Sequence, residues 1–370
     1  MNWDSSTIEQ LRIEMLHAIV AGYAFFFGAT IGSFLNVVVY RMPRGLNIVR
    51  PRSRCPVCAT PIALRDNIPV FSWLLLRGRC RCCATRISPR YVLVELAVGL
   101  LFVGLLYVEV ISGGANLPFR AQKDVYGLIS IHWDSMGSLA CIGLFHAYLL
   151  ITLLAVTLIQ VDGLPVPKRL RGWPLLLGLV LPLIWPDLRP VSPTELAASG
   201  YWQSAWFLQF LASIEMMLWG FAFGCAMGLA CHRHRVPAAS PFAARNLLAR
   251  AVRSALNYFN ANECTIDGIG LVAVYLGWQP ALTISCFAVS ALLIQAVLTR
   301  SGLLSFEMQP VGWCLVGVVL YIPGWKWLAA IPHLPGYQTG TLATLGWLAV
   351  ICATSLCARR IRRHAAPECS

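Results

Sequence analysis

Apolar residues in this chain are gathered into long blocks, which are separated by shorter polar and basic segments. A helix needs about 20 mostly apolar residues in a row to cross a bilayer. Blocks of this kind lie near residues 15–40, 92–111, 138–160, 173–186, 205–231, 265–278, 281–298, 311–331 and 340–358. The fourth and sixth blocks are short for a span. The pattern therefore predicts an all-α, polytopic integral membrane protein with eight or nine transmembrane helices.

The composition is also typical of an integral membrane protein. Of its 370 residues 58% are hydrophobic and only 12% are charged, whereas a soluble domain carries about 25% charged residues. This excludes a disordered chain and argues against a water-soluble globule. The net charge of +13 is explained first by the Lys and Arg enrichment of cytoplasmic loops. No nucleic acid partner is expected, because the basic residues follow the topology rather than one binding face.

The segment 41–91 is the most basic part of the chain, with eleven Arg and the single acid Asp66. The positive-inside rule places it in the cytoplasm. Alternation of the spans then brings the basic segments 161–172 and 232–255 to the same side. The expected organisation is an N-terminal segment with the first helix (1–40), a cytoplasmic loop (41–91), a helical membrane domain (92–358) and a basic tail (359–370).

Two pairs of cysteines lie within this basic loop. Cys55 and Cys58 form one C-x-x-C, Cys80 and Cys83 form a second, and 21 residues separate the two pairs. Two such pairs are typical of a tetrahedral four-cysteine zinc site, which is structural because four thiolates leave no position open for water. Cys82 is a spare that could replace Cys83. The alternatives are reduced thiols or two disulfides, and a cytoplasmic location disfavours disulfides.

The segments around these cysteines resemble those of the bacterial prepilin peptidases, the leader peptidases of type IV pilus and type II secretion systems. The resemblance rests on GATIGSFLNVVVYRMPRG at 28–45, then RSRCPVC, DNIPVFSWLLLRGRCRCC and ISPRYVLVEL, and runs from about Gly28 to Leu96. It implies an inner-membrane aspartyl protease that removes the basic leader of a prepilin or pseudopilin at the cytoplasmic face. It also implies the family's four-cysteine loop and, in many members, N-methylation of the new terminus with S-adenosylmethionine.

Two aspartates near cytoplasmic helix ends carry proteolysis in that family, and this chain departs from both motifs. Alignment of the first motif on its proline places Gln160 at the catalytic position, and Asp162 follows two residues later. Alignment of the second motif on LGW (276–278) places Thr265 at its catalytic position, and Asp267 again follows two residues later. We therefore predict Asp162 and Asp267 as a displaced catalytic pair.

A shift of two residues has different consequences in a helix and in a turn. In a helix it rotates the side chain by about 200° with a rise of about 3 Å, away from the expected site. In a turn the two acids could still converge, and Gly163 beside Asp162 and Gly268 beside Asp267 favour turns. The alternative makes Asp162 an ordinary turn residue and Asp267 a helix N-cap or first-turn acid. The chain would then be a catalytically silent homologue that binds prepilins or scaffolds pilus assembly.

Other ionisable residues are weaker candidates. Glu95 is expected at the membrane interface or paired with an Arg, and Glu263 would raise the pKa of Asp267 if it lies close. Glu215 lies within a span, where it is either functional or a protonated packing residue. His146 is expected to be a hydrogen-bonded helix contact rather than a ligand. A transporter that uses intramembrane acids is a further alternative, but the chain has no half-to-half repeat to support it.

Overall fold

The computed structural model describes residues 4–118, 133–185, 188–189, 206–229, 247–305, 307–331 and 341–363. Within these residues the chain is helical and contains no β-strand beyond two isolated bridges. The helices are α1 (Ser5–Arg41), α2 (Phe71–Leu75), α3 (Pro89–Leu105), α4 (Trp133–Val161), α5 (Lys168–Ile184), α6 (Trp206–Gly228), α7 (Leu247–Leu276), α8 (Trp278–Arg300), α9 (Pro310–Ala330) and α10 (Thr341–Arg363).

Six of these helical segments are long and apolar enough to cross a membrane. They are Ser5–Arg44, Pro89–Ile111, Met136–Val161, Trp278–Arg300, Pro310–Ala330 and Ala343–Ile361. They confirm the predicted all-α membrane architecture. The three other predicted spans correspond to α5, which has 17 residues, to α6 and to α7. The total of eight or nine therefore stays a prediction.

The chain divides into two compact units. The first contains Met1–Ile151 and Leu158–Pro167, and the second contains Thr152–Thr157 and Lys168–Ser370. The first unit holds the basic loop, whereas α5 to α10 belong to the second.

Glycines allow α1 and α3 to approach closely within the first unit. A Cβ added to Gly28 or Gly32 would lie 2.8 Å from backbone atoms of α3, and one added to Gly99 would lie 2.8 Å from Phe25. Small residues at helix contacts are typical of membrane proteins, where close backbone approach supplies the packing energy. The GATIGS segment therefore positions α3, and with it the end of the basic loop.

A buried polar pair lies at the far end of α3, where this helix meets α4. The helix continues as a π-helical turn over Leu106–Ile111, in which Glu109 is fully buried. A carboxylate oxygen of Glu109 lies 2.5 Å from Nδ1 of His146, which is also fully buried on α4. This contact confirms the prediction that His146 is a hydrogen-bonded helix residue.

In the second unit, α6 and α7 pack through glycines and one buried arginine links three elements. A Cβ on Gly224 would lie 2.6 Å from the Cα of Ile266. The Arg189 guanidinium donates to the carbonyl oxygens of Val274 and Gly178 at 2.9 and 2.8 Å and to Ser213 Oγ at 2.7 Å. These bonds satisfy the buried guanidinium and hold α5, α6 and α7 together.

The sequence prediction was wrong about where α7 begins. The helix starts at Leu247, within the segment 232–255 that was expected to be a loop, and it runs without a break to Leu276. It is separated from α8 only by Gly277, whose φ of 109° lies in a region that favours glycine. Similarly, α10 runs to Arg363, so the predicted basic tail begins as helix.

Candidate functional site

The two cysteine pairs lie in turns of the same design. In the first, the Cys55 amide donates to the Thr60 carbonyl at 3.0 Å, and the Ala59 amide donates to the Cys55 carbonyl at 2.9 Å. The turn that begins at Cys80 repeats both hydrogen bonds at 2.9 Å. In each turn the alanine after the second cysteine has a positive φ, 56° at Ala59 and 53° at Ala84. Each turn therefore presents two sulfurs on one side.

The four sulfurs meet in one cluster. The Sγ atoms of Cys55, Cys58, Cys80 and Cys83 all lie within 4.8 Å of one another. Cys55 and Cys83 are 3.7 Å apart, and Cys58 and Cys80 are 4.0 Å apart. A zinc–thiolate tetrahedron with bonds of about 2.3 Å has sulfurs about 3.8 Å apart. This four-cysteine cluster therefore fits one tetrahedral metal ion, and its thiols are free rather than disulfide-bonded.

Cys82 lies outside this cluster. It is exposed, and its Sγ accepts a hydrogen bond of 3.6 Å from the Thr60 hydroxyl. Cys83, and not the spare Cys82, completes the set of four.

Hydrogen bonds to the sulfurs favour the thiolate form that a metal binds. The side chain of Thr60, followed by its backbone amide, lowers the pKa of the Cys58 thiol to about 6. The backbone amides of Cys83 and Cys82 lower the pKa of the Cys80 thiol. Despite its backbone hydrogen bond with Thr85, the pKa of the Cys83 thiol is raised instead, because burial and the neighbouring sulfurs outweigh that bond. The cluster therefore favours the thiolate at Cys58 and Cys80 and the neutral thiol at Cys83.

Two carboxylates fix the loop in place. The Asp66 carboxylate accepts bonds of 2.8 and 2.6 Å from Nε and Nη2 of Arg81, which ties the connecting segment to the second cysteine turn. Arg81, through this hydrogen bond first, lowers the pKa of Asp66. Glu95 on α3 accepts a 2.7 Å bond from the amide of Val70. Among the described residues Glu95 forms no salt bridge with an Arg, and its carboxylate anchors the loop to α3; its position at the membrane interface stays a prediction.

Asp162 lies in the turn that follows α4, in the first unit. Gly163 next to it has a φ of 68°, which makes the irregular backbone possible. Arg90 binds both carboxylate oxygens of Asp162, through Nη1 to Oδ1 and through Nη2 to Oδ2 at 3.0 Å. The same guanidinium donates to the Leu158 carbonyl at 3.3 Å. Asp162 is therefore a turn residue whose carboxylate is held by a bidentate arginine.

Asp267 lies inside helix α7, in the second unit. The helix begins twenty positions earlier, at Leu247, so the turn expected beside Gly268 and the alternative of an N-cap or first-turn acid are both wrong for Asp267. Its carboxylate binds Nη1 of Arg171 on α5, and Nη2 of this arginine lies 3.0 Å from Glu263. Lys168 adds a 3.6 Å contact to Glu263. The two acids on α7, one helical turn apart, share one buried arginine.

The expected catalytic positions also differ in their surroundings. Thr265 is buried within α7, so the helical rotation of about 200° separates it from Asp267. Gln160 lies in the last turn of α4, and its Oε1 is buried without a hydrogen-bond partner in the described residues. Because Asp162 and Asp267 belong to different units, their pairing stays a prediction.

Sequence reasoning did not find Arg90 and Arg171, the partners of the two aspartates. Arg171 could have been recognised, since KRLR at 168–171 opens α5 and places Lys168 and Arg171 on one helical face. Arg90 carries no such signal, because eleven arginines occupy its loop and nothing in the sequence singles it out.

This fold and site define a class of protein. It is a polytopic α-helical membrane protein with a four-cysteine cluster in the basic loop between its first two apolar helices. Residues 26–109 match the family described as Bacterial Peptidase A24 N-terminal domain. A prepilin leader peptidase/N-methyltransferase of Aeromonas salmonicida (strain A449) is 31% identical over 250 residues, which cover 57% of this chain and 73% of the relative. The chain therefore belongs to the prepilin leader peptidase/N-methyltransferase family.

Other relatives match over a shorter stretch. The prepilin leader peptidase/N-methyltransferase of Myxococcus xanthus (strain DK1622) is 51% identical over 100 residues, or 25% of this chain and 30% of the relative. That of Klebsiella pneumoniae is 47% identical over 105 residues, or 25% of this chain and 46% of the relative. The chain thus matches less than half the length of these two relatives. No solved structure matches it.

Proposed function

We propose that this protein is a prepilin leader peptidase of the aspartic type in the bacterial inner membrane. Its four-cysteine loop faces the cytoplasm, and its substrate is a type IV prepilin or pseudopilin. The observation that carries the proposal is the similarity to the Aeromonas salmonicida relative, since it covers more than half of the chain. The basic loop supports the orientation through the positive-inside rule.

In the proposed mechanism Asp162 and Asp267 share the work of acid and base. An ionised carboxylate removes a proton from water, and a protonated one donates to the carbonyl oxygen of the scissile bond. In the structure Arg90 and Arg171 each bind one of these carboxylates, so both aspartates are engaged in ion pairs. One arginine must therefore release its aspartate before the pair can hold a shared proton, and substrate binding is the event that we assign to this release.

The proposed cofactors have separate roles. Cys55, Cys58, Cys80 and Cys83 hold a zinc ion that stabilises the loop, since a closed set of four thiolates leaves no position for a reacting water. The names of the relatives include N-methyltransferase activity. We extend this activity to the present chain, with S-adenosylmethionine as the methyl donor.

The arginine contacts favour a second candidate function. Each carboxylate oxygen of Asp162 accepts a hydrogen bond from Arg90, so an ion pair occupies the carboxylate that the peptidase mechanism needs as a base. With Gln160 and Thr265 at the family's catalytic positions, the chain would then bind prepilins without cutting them. This is the silent homologue, a prepilin-binding protein or a scaffold for pilus assembly.

Cleavage of a matched prepilin by the full-length protein in proteoliposomes tests both functions. Asp162→Asn and Asp267→Asn keep the side-chain size but remove the titratable group, so each should abolish cleavage almost completely. The double variant should be little worse, because the two residues act as a unit. Asp66→Asn is the matched control, since it also removes an arginine-paired aspartate but lies in the loop. It should cleave like the wild type.

The reciprocal variant Gln160→Asp with Thr265→Asp restores the family's catalytic positions. If the wild type is inert and this variant cleaves the prepilin, the displaced pair is wrong and the silent homologue is supported. If the wild type cleaves and both Asn variants still cleave, then Asp162 and Asp267 are not the working pair.

A further inference from the structure

A cleft lined by three arginines lies beside the second cysteine turn, and no cysteine is part of its lining. It has a volume of about 430 Å³ and is bounded by Arg77, Arg79, Arg86 and Trp73, together with residues 87–89. We call it the arginine cleft. The four-cysteine cluster and the two aspartates are not part of its lining.

The walls of the arginine cleft are fixed by backbone contacts. Arg79 and Arg86 face each other in an isolated antiparallel bridge, and the Trp73 indole donates to the Ile87 carbonyl at 3.2 Å. Gly78 lies against the indole, because a Cβ at this position would be 2.8 Å from Trp73. The backbone and the indole that frame the cleft are therefore fixed, and the three arginine side chains extend from this frame.

The charge of the cleft is uncompensated. Arg77, Arg79 and Arg86 are exposed, and no carboxylate of the described residues forms a salt bridge with any of them. Asp66, the one acid of the loop, is already held by Arg81. Three guanidinium groups around one space repel one another, and an anion that enters the space relieves this repulsion. Guanidinium binds phosphate oxygens in a bidentate way, so a phosphate is the anion that fits this lining.

The position of the cleft sets the depth at which this anion must lie. Ser88 and Pro89 form one wall, and Pro89 is the first residue of the 23-residue apolar helix Pro89–Ile111. A cleft at the start of a membrane-spanning helix lies at the level of the lipid headgroups. On α2, next to Trp73, Leu74 and Leu75 are 56% and 78% exposed. Exposed apolar side chains beside basic residues are typical of segments that lie in the membrane interface.

From this charge and depth we propose that the arginine cleft binds the phosphate headgroup of an anionic phospholipid, with Leu74 and Leu75 inserted among the acyl chains. Charge complementarity selects this occupant, because a basic prepilin leader would be repelled by the same arginines. The lipid holds the four-cysteine loop against the bilayer. This role is independent of peptidase activity.

Native mass spectrometry of the full-length protein, titrated with phosphatidylglycerol or phosphatidylcholine, measures the proposed contact. The wild type should bind phosphatidylglycerol preferentially. The triple variant Arg77→Gln, Arg79→Gln, Arg86→Gln should bind it about a hundredfold more weakly, because each basic residue near an anionic surface contributes about 1 kcal/mol. The corresponding triple Lys variant should stay within severalfold of the wild type, since it keeps the charge.

The matched control is the triple variant Arg50→Gln, Arg52→Gln, Arg54→Gln. It removes the same charge from exposed positions of the same loop, outside the cleft. It should bind phosphatidylglycerol like the wild type. Equal loss in both Gln variants would overturn the proposal in favour of general charge attraction. Equal binding of phosphatidylglycerol and phosphatidylcholine would also overturn the proposal. Displacement of phosphatidylglycerol by millimolar inorganic phosphate would overturn it as well. Retained zinc in each variant verifies that the loop is folded.

Discussion

Removal of one sulfur from the four-cysteine cluster gives the sharpest test of the metal site. The sulfur separations of 3.7 Å and 4.0 Å lie on either side of the value of about 3.8 Å for a zinc tetrahedron. Structural zinc contributes about 10–16 kcal/mol, so one of four ligands accounts for on the order of 3 kcal/mol, or at least about a hundredfold in affinity. We therefore expect Cys83→Ser to weaken zinc binding by about this factor, while the wild type holds one zinc per chain.

The neighbouring thiol supplies the matched control. Cys82→Ser removes a sulfur one residue away that lies outside the cluster, so its zinc affinity should equal that of the wild type. The assay is competition with a chromogenic chelator, followed by metal analysis of the purified protein in detergent. Loss of zinc in Cys82→Ser but not in Cys83→Ser would refute the assignment of the fourth ligand. Stoichiometric zinc that survives Cys55→Ser as well would refute the whole site.

Two further predictions concern packing and topology. Gly224→Ala should lower the stability of the protein in detergent by about 1–3 kcal/mol, because the new Cβ would lie 2.6 Å from the Cα of Ile266. Thermal unfolding measures this, and Gly346→Ala, where no atom lies within 4 Å of the added Cβ, should be neutral or stabilising. Engineered cysteines at Asp4 and Ala63, in a background without other accessible thiols, report sidedness in intact cells. An impermeant reagent should label position 4 only, and labelling at position 63 would overturn the proposed cytoplasmic loop.

Hydropathy and spacing predicted the features that depend on local sequence. The apolar blocks identified the helices of the membrane domain. A span must satisfy its backbone hydrogen bonds internally, which favours a helix, and it needs about 20 apolar residues to cross the bilayer. The two C-x-x-C pairs predicted the cluster of sulfurs, since each pair is brought together by its own turn. Both predictions are confirmed within the described residues.

The features that were predicted wrongly, or not predicted at all, depend on tertiary structure. The N-terminal half of α7 carries Arg250 and Arg253, so hydropathy excludes it from a span, yet its residues form helix readily and it continues into the apolar part. The helical state of Asp267 follows from this extension. The arginine partners of Asp162 and Asp267 lie 72 and 96 positions away from them in the sequence. No local pattern encodes such contacts.

Backbone strain is concentrated in the loop that carries the four cysteines. Four non-glycine residues have a positive φ among the described residues, and all lie within 59–84, from directly after the first cysteine pair to directly after the second: Ala59, Val70, Arg77 and Ala84. A β-branched residue such as Val70 is an outlier in this region. Each such residue costs about 1–3 kcal/mol and persists only where its surroundings enforce it. Hydrogen bonds fix three of these residues: the Ala59 and Ala84 amides donate to the Cys55 and Cys80 carbonyls, and the Val70 amide donates to Glu95. A metal ion bound by the four cysteines would hold these turns in their strained form. Loss of the ion would let the turns relax, and this relaxation would oppose rebinding.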